Sequence, residues 1–236
     1  LRTHTRSAAL LITLLLALLN APSARAGVLL SDNFDSYTLT THWAEGSSYG
    51  NWLDQFNGFG TTQVVTSTNP RLQEKPKAST SASETHGALV TSTQSFPDFD
   101  ASLKMKTVSQ LRTGSAPNPW EMAWALWHYQ SGNAFYYLIL KTTGWEVGKE
   151  YVNTSGLQDQ CFLSTGSAPT FALNTFYTIR IKQVANAITV WVNGSQLTSF
   201  TDASSCGASP YTSGSLGLYT EDAQVQFDDV TVSSVP

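Results

Sequence analysis

The stretch Trp124-Ala-Leu-Trp-His-Tyr129, followed by Phe135-Tyr-Tyr-Leu-Ile-Leu-Lys141 and Trp145-Glu-Val-Gly-Lys-Glu150, decides the fold. Its aromatic and branched residues suit a pleated surface. Ser131-Gly132-Asn133 and Thr142-Thr143-Gly144 punctuate it into three consecutive strands. Taking Thr143-Gly144 as the second turn, Lys141 faces Glu146, Ile139 faces Gly148 and Tyr137 faces Glu150. Leu140 with Val147, Leu138 with Lys149 and Tyr136 with Tyr151 then occupy the other side of the pleat.

The same grammar runs outward from this hairpin. Phe176, Thr178, Arg180 and Lys182 alternate with Tyr177, Ile179 and Ile181, and Ile188, Val190 and Val192 alternate with Thr189 and Trp191. Asn193-Gly194 is a strong signal for a two-residue turn. Leu216 and Leu218, then Val225 and Phe227, mark two more strands. Helical periodicity is missing after residue 27, and many short strands joined by turns predict an all-β fold, an antiparallel two-sheet β-sandwich of jelly-roll type. Residues 58–84, rich in Thr, Ser and Asn, read as a long surface connection within one domain.

The first residues read differently. Arg2, His4 and Arg6 precede an apolar run from Ala8 to Leu19 and the small-x-small triplet Ala24-Arg25-Ala26. This is the pattern of a signal peptide spanning residues 1–26, with an apolar run shorter than the roughly 20 residues of a membrane span. Residues 27–236 then form one domain, secreted or periplasmic, with no membrane span after cleavage. The leader holds three of the 13 Lys and Arg residues and no acids, which leaves ten basic residues against 17 acidic ones, a net charge of −7. That balance argues against nucleic acid as a partner, which requires a basic patch. Two cysteines, Cys161 and Cys206, in an exported chain predict one disulfide.

Rings and charges concentrated on one sheet suit the grip on a polysaccharide or oligosaccharide. Tyr137 and a neighbouring Trp supply flat faces, while Lys141, Glu146 and Glu150 reach hydroxyls and Gly148 leaves room for approach. Trp127, His128, Trp145, Lys149 and Trp191 complete the candidate ligand contacts, with Trp191 placed on the polar side of its strand. The competing reading is a half-buried sheet carrying a surface ion pair worth under about 1 kcal/mol.

Phe135–Lys141, Gly144–Lys149, Phe176–Lys182, Val192-Asn-Gly194, Gly217–Ala223 and Phe227-Asp-Asp-Val230 run in an order that resembles the concanavalin A-like lectin/glucanase superfamily. The resemblance extends to laminin-G-like and glycoside hydrolase family 16-related sandwiches and to those described as 3-keto-disaccharide hydrolases. It implies the sandwich fold and a saccharide ligand, and it leaves binding and cleavage both open. Retaining family 16 enzymes carry Glu-x-Asp-x-Glu on one strand. Here Glu146-Val-Gly-Lys-Glu150 keeps the outer glutamates, implied nucleophile and acid/base, and has Gly148 in the middle. The resemblance implies a further class, a lyase using Tyr137, Lys141 and His128, and a structural or adhesion domain with a protein partner is a third reading of the chain.

Asp32-Asn-Phe-Asp35 opens the domain and Phe227-Asp-Asp-Val230 closes it. First and last strands of a sandwich often pair, and the parity change between Phe227 and Val230 predicts a β-bulge at Asp228-Asp229. Related sandwiches hold calcium at such a place, so Asp32, Asp35 and Asp229 are candidate ligands of a structural Ca²⁺.

Overall fold

A computed structural model describes residues 26–204 and 206–235. The segment expected to be a signal peptide, residues 1–26, lies outside the described residues except for Ala26. Sixteen strands follow one another among the described residues: β1 (Val28–Asp32), β2 (Ser48–Tyr49), β3 (Trp52–Phe56), β4 (Thr61–Val65), β5 (Arg71–Lys75), β6 (Gly87–Phe96), β7 (Phe99–Gln110) and β8 (Ala123–Ser131) in the first half. The second half holds β9 (Ala134–Lys141), β10 (Gly144–Val152), β11 (Gln158–Gly166), β12 (Tyr177–Val184), β13 (Ala187–Val192), β14 (Ser195–Thr201), β15 (Gly214–Glu221) and β16 (Ala223–Ser234). They pair antiparallel into two sheets packed face to face, as the alternation predicts. Sheet A runs β14-β13-β12-β7-β16-β5-β4, with β1 also on β16, and sheet B runs β11-β10-β9-β8-β15-β6-β3-β2.

The core lies between the sheets. Sheet A contributes Leu72, Leu103, Ile179, Ile181, Val190, Val225 and Phe227, and sheet B contributes Val90, Trp127, Tyr136, Leu138, Val147 and Leu218. Burying these side chains contributes roughly 1.5–3 kcal/mol apiece. The Asn193-Gly194 turn forms as predicted, both residues at positive φ (50° and 81°) between paired Val192 and Ser195. Cys161 and Cys206 are joined, Cα atoms 6.0 Å apart, tying β11 to the loop beyond β14.

The β9–β10 register differs from expectation by two residues. Lys141 pairs with Gly144, so Thr142-Thr143 is the turn, and Ile139, Tyr137 and Phe135 oppose Glu146, Gly148 and Glu150. Gly144 sits at φ 136°, where a Cβ would collide with the Gly166 carbonyl. A slip of two preserves the pleat, so Tyr137, Glu146 and Glu150 keep the common face.

β1 pairs with β16, Asp32 opposite Val230, and β16 bulges between Asp228 and Thr231 with Asp229 at φ 48°. The first and last strands thus meet and the bulge re-aims Asp229. The three proposed calcium ligands have protein partners of their own. Asp32 accepts from the Phe34 amide (2.9 Å), the Tyr37 hydroxyl (2.7 Å) and Trp52 Nε1 (3.0 Å). Asp35 accepts from Asn33 Nδ2 at 2.6 Å, and Asp229 pairs with Lys104 Nζ at 2.5 Å. Among the described residues no group of three or more His, Cys, Asp or Glu gathers as a metal set, and calcium enters no step of the functional reading.

Candidate functional site

The outer face of sheet B, turned away from the core, is unusually apolar. Leu89, Met122, Trp124, Leu126, Phe135, Tyr137 and Ile139 form a second buried cluster there, with Tyr129 and Tyr219 packed against it. The ladder explains why. Glu146, Ile139, Trp124, Tyr219, Leu89 and Phe56 lie in one row across six strands, and Phe162, Gly148, Tyr137, Leu126 and Gly217 form the next. Trp124 meets Tyr137 at 5.1 Å and Tyr219 edge-on at 5.2 Å.

Above these rings opens a cavity of about 350 Å³ lined by Phe56, Trp120, Trp124, Tyr129, Phe135, Phe162 and Tyr219, together with Glu146, Glu150, Glu221, Gln158 and Gln160. Phe56, Trp120 and Phe162 stand on its rim with 38%, 43% and 60% of their surface exposed. Rings on floor and rim with a few carboxyl and amide groups match the usual build of a small-molecule site.

Glu146 accepts from Tyr137 Oη (2.8 Å) and from Lys141 Nζ (2.8 Å), so each of its oxygens has a donor. Gly148 makes this possible. A Cβ there would strike the Tyr137 hydroxyl. The glycine that the sequence suggested as room for ligand is room for Tyr137, whose hydroxyl crosses it to reach Glu146. Burial, then the Glu146 charge, pushes the Tyr137 phenol far above its ordinary range, so it stays a donor.

Glu150 accepts from Gln158 Nε2 at 3.1 Å. Burial raises its pKa, and the Glu221 and Asp159 charges add to the effect. Glu221 is raised by burial first and by Asp222 and Glu121 next, while the Tyr219 hydroxyl at 2.8 Å opposes the shift. The cavity thus holds one ion-paired carboxylate and two carboxyls whose pKa burial raises.

A buried ionic cluster braces the end of the cavity beyond Trp120 and Glu221. Arg112 binds Glu121 at 2.5 Å and Asp222 at 2.7 Å, and donates to the carbonyls of Ser81 (2.5 Å) and Glu84 (2.9 Å). Ser79 Oγ donates to Asp222 Oδ1 at 2.5 Å and lies 3.2 Å from His86 Nδ1. Ser79 is wholly buried, so this cluster fastens loops rather than meeting a ligand.

Of the residues proposed from sequence, Glu146 and Glu150 line the cavity, and Tyr137 and Lys141 bond Glu146. The structure places the others away from the cavity, with Trp191 on the polar side of its strand as expected. Trp127 points into the core, 1% exposed, and donates to Gln183 Oε1 at 2.7 Å. Lys149 is fully buried between the sheets, bound to Asp202 and to the Ala208 carbonyl, each at 2.7 Å. Trp145, on the same side of the pleat, donates to the Ala168 carbonyl at 2.9 Å. His128 sits at φ 47° in a bulge of β8, where its ring meets the Tyr211 and Pro97 carbonyls at 2.7 and 3.1 Å. Burial lowers its pKa. Trp191 lies on the outer face of sheet A beneath the Arg180 guanidinium, 4.6 Å away. Trp120, Trp124, Phe162 and Glu221 were missed as cavity residues. Parity gave one signal, since it separates Trp124 and Leu126 from Trp127.

Two antiparallel sheets packed face to face, in this strand order, define a concanavalin A-like sandwich. Within it the chain belongs to the 3-keto-alpha-glucoside-1,2-lyase-like domain family, whose model matches residues 30–233. A comparison with curated protein sequences gave no match. Solved structures share the fold at low identity. The carbohydrate-binding module CBM66 from Bacillus subtilis is 13% identical, with a TM-score of 0.57 over 78% of this chain and 96% of that one. A family 16 glycoside hydrolase from the mixed-linkage glucan locus of Bacteroides ovatus, solved in complex with the product G4G4G3G, is 10% identical over 86% and 99% at a TM-score of 0.53. The kappa-carrageenase of Pseudoalteromonas carrageenovora is 10% identical over 93% and 99%, also at 0.53.

Proposed function

We infer that the cavity on sheet B binds a neutral saccharide of one or two rings and that its buried carboxyls carry out proton transfer in breaking a glycosidic bond. The carrying observation is that Glu146, Glu150 and Glu221 share one aromatic-floored cavity in different settings, Glu146 fixed by Tyr137 and Lys141, the other two with pKa values raised by burial. Neutrality of the ligand follows from the same set. Among the described residues no Lys, Arg or His lines the space and Lys141 is already paired with Glu146, so a uronate or sulfate would find no cationic partner. The volume suits a short saccharide rather than a long polymer.

The family description supports 1,2-elimination from a 3-keto-glucoside as the reaction. In such a substrate the C3 carbonyl acidifies the C2 hydrogen. A carboxylate takes the C2 proton, the electron pair forms C1=C2, the C1–O bond breaks, and a protonated carboxyl gives its proton to the departing oxygen. Glu221 in its ionised form is the base, Glu150, whose pKa the Glu221 charge raises, is the acid, and ion-paired Glu146 orients a sugar hydroxyl. The family 16 relatives favour a second reading, hydrolysis with Glu146 and Glu150 as the pair. The disulfide supports a secreted or periplasmic setting.

Incubation with a 3-keto-glucoside and its unoxidised parent separates these readings. An ultraviolet-absorbing enone from the keto substrate alone supports elimination, reducing ends from the parent support hydrolysis, and retention without product leaves a binding domain. Trp124→Ala should weaken retention about 10- to 100-fold by removing the floor ring. Loss confined to a Trp191→Ala variant would place the site on sheet A instead.

The carboxyl environments also predict a pH signature. A folded-state pKa above the unfolded one adds stability at low pH, and that stability is lost as pH rises through the folded value. Glu150 and Glu221 are of this kind. The melting temperature of Glu221→Gln relative to wild type should therefore rise between pH 4 and pH 8. A difference constant with pH would mean that Glu221 is not shifted.

A further inference from the structure

Asp54 and Glu74 are fully buried, and all four of their carboxyl oxygens lack a hydrogen-bond partner. They come from opposite sheets, Asp54 on β3 opposite inward-facing Val90, Glu74 on β5 opposite inward-facing Val225. Thr62 on β4 pairs with Glu74 across the ladder, and its hydroxyl is also buried and unpartnered. The Thr62 hydroxyl and the Val90 amide approach the carboxyls without reaching hydrogen-bonding geometry. The charges acting on the two groups are themselves acidic, Glu45 on Asp54 and Asp54 on Glu74, so no cationic side chain neutralises them.

Two carboxyls in such a place must be neutralised by protons or by a bound cation. Protons remove the charge, yet they add O–H donors where no acceptor is engaged and leave the carbonyl oxygens unpaired. A cation removes the charge and coordinates the same oxygens together. We propose that Asp54, Glu74 and the Thr62 hydroxyl hold a divalent metal ion between the two sheets, apart from the cavity and from Asp32, Asp35 and Asp229. An all-oxygen donor set selects a hard cation, and the flexible shell of six to eight oxygens that calcium accepts is easier to complete from main-chain carbonyls than the strict octahedron of magnesium. The ion would clamp β3 of sheet B to β4 and β5 of sheet A.

The test is thermal melting of the mature chain stripped with chelator, at neutral pH, with Ca²⁺, Mg²⁺ or Mn²⁺ added singly. Calcium should raise the melting temperature by about 5–10 °C at a hundredfold excess over its dissociation constant. Metal analysis should find one ion per chain. Asp54→Asn and Glu74→Gln should each abolish the calcium shift while Asp32→Asn retains it. Three results would overturn the proposal: no shift with any cation, a shift that survives both Asp54→Asn and Glu74→Gln, or a shift lost only in Asp32→Asn, which would assign the ion to the first and last strands.

Discussion

Arg112→Leu should lower the stability of the folded chain by about 3–5 kcal/mol, the usual cost of leaving a buried ion pair without its cation. For a domain of this length that is a fall of roughly 6–20 °C in melting temperature. The prediction is large because one guanidinium serves four acceptors. Glu121 and Asp222 are both fully buried, and each would be left as an uncompensated carboxylate. The Ser81 and Glu84 carbonyls would lose their donor as well. Leucine fills most of the aliphatic volume, so the loss measures the charge rather than a cavity. Because Trp120 and Glu221 adjoin Glu121 and Asp222 in sequence, residual folded protein should also bind saccharide more weakly. A melting scan of Arg112→Leu within 2 °C of wild type would show that the cluster is dispensable.

Glu150→Gln should reduce kcat/KM on whichever saccharide is cleaved by about 10²–10⁴, the range for removal of a general acid or base, with little change in binding. Gln keeps the shape and can still accept from Gln158, so the loss isolates proton transfer. Glu150 is well suited to that role because burial raises its pKa towards neutrality while it still borders the cavity. Glu146→Gln should behave differently. It leaves Lys141 without its carboxylate and weakens the acceptor for Tyr137, so binding and turnover should fall together. Turnover by Glu150→Gln within threefold of wild type would remove Glu150 from the chemistry.

The residues that sequence placed well and those it misplaced differ for one reason. Period-2 alternation sorts side chains into two faces but does not say which face is covered. Tyr137, Glu146 and Glu150 were sorted together even with the hairpin register two residues out, because an even slip preserves parity. Alternation alone makes Trp127 and Lys149 candidate ligand contacts, although their side of the pleat is the one against sheet A. A lysine among Leu138, Val147 and Tyr136 looks misplaced until Asp202, 53 residues further along, is brought against it. The bulge at His128 breaks the alternation within β8 with no glycine to announce it.

By itself the sequence determined the strand grammar, the Asn193-Gly194 turn, the cysteine pairing, the meeting of first and last strands and the bulge at Asp228-Asp229, since turn chemistry, parity and cysteine count are local or nearly so. Only the tertiary structure decided which sheet face stayed open, that Glu221 from β15 joins Glu146 and Glu150 from β10, that Gly148 makes way for Tyr137, and that Asp54 and Glu74 meet inside the sandwich. Those outcomes depend on strand order and on the packing of one sheet over another. They join residues 11 to more than 70 positions apart, and period-2 alternation alone does not reach them.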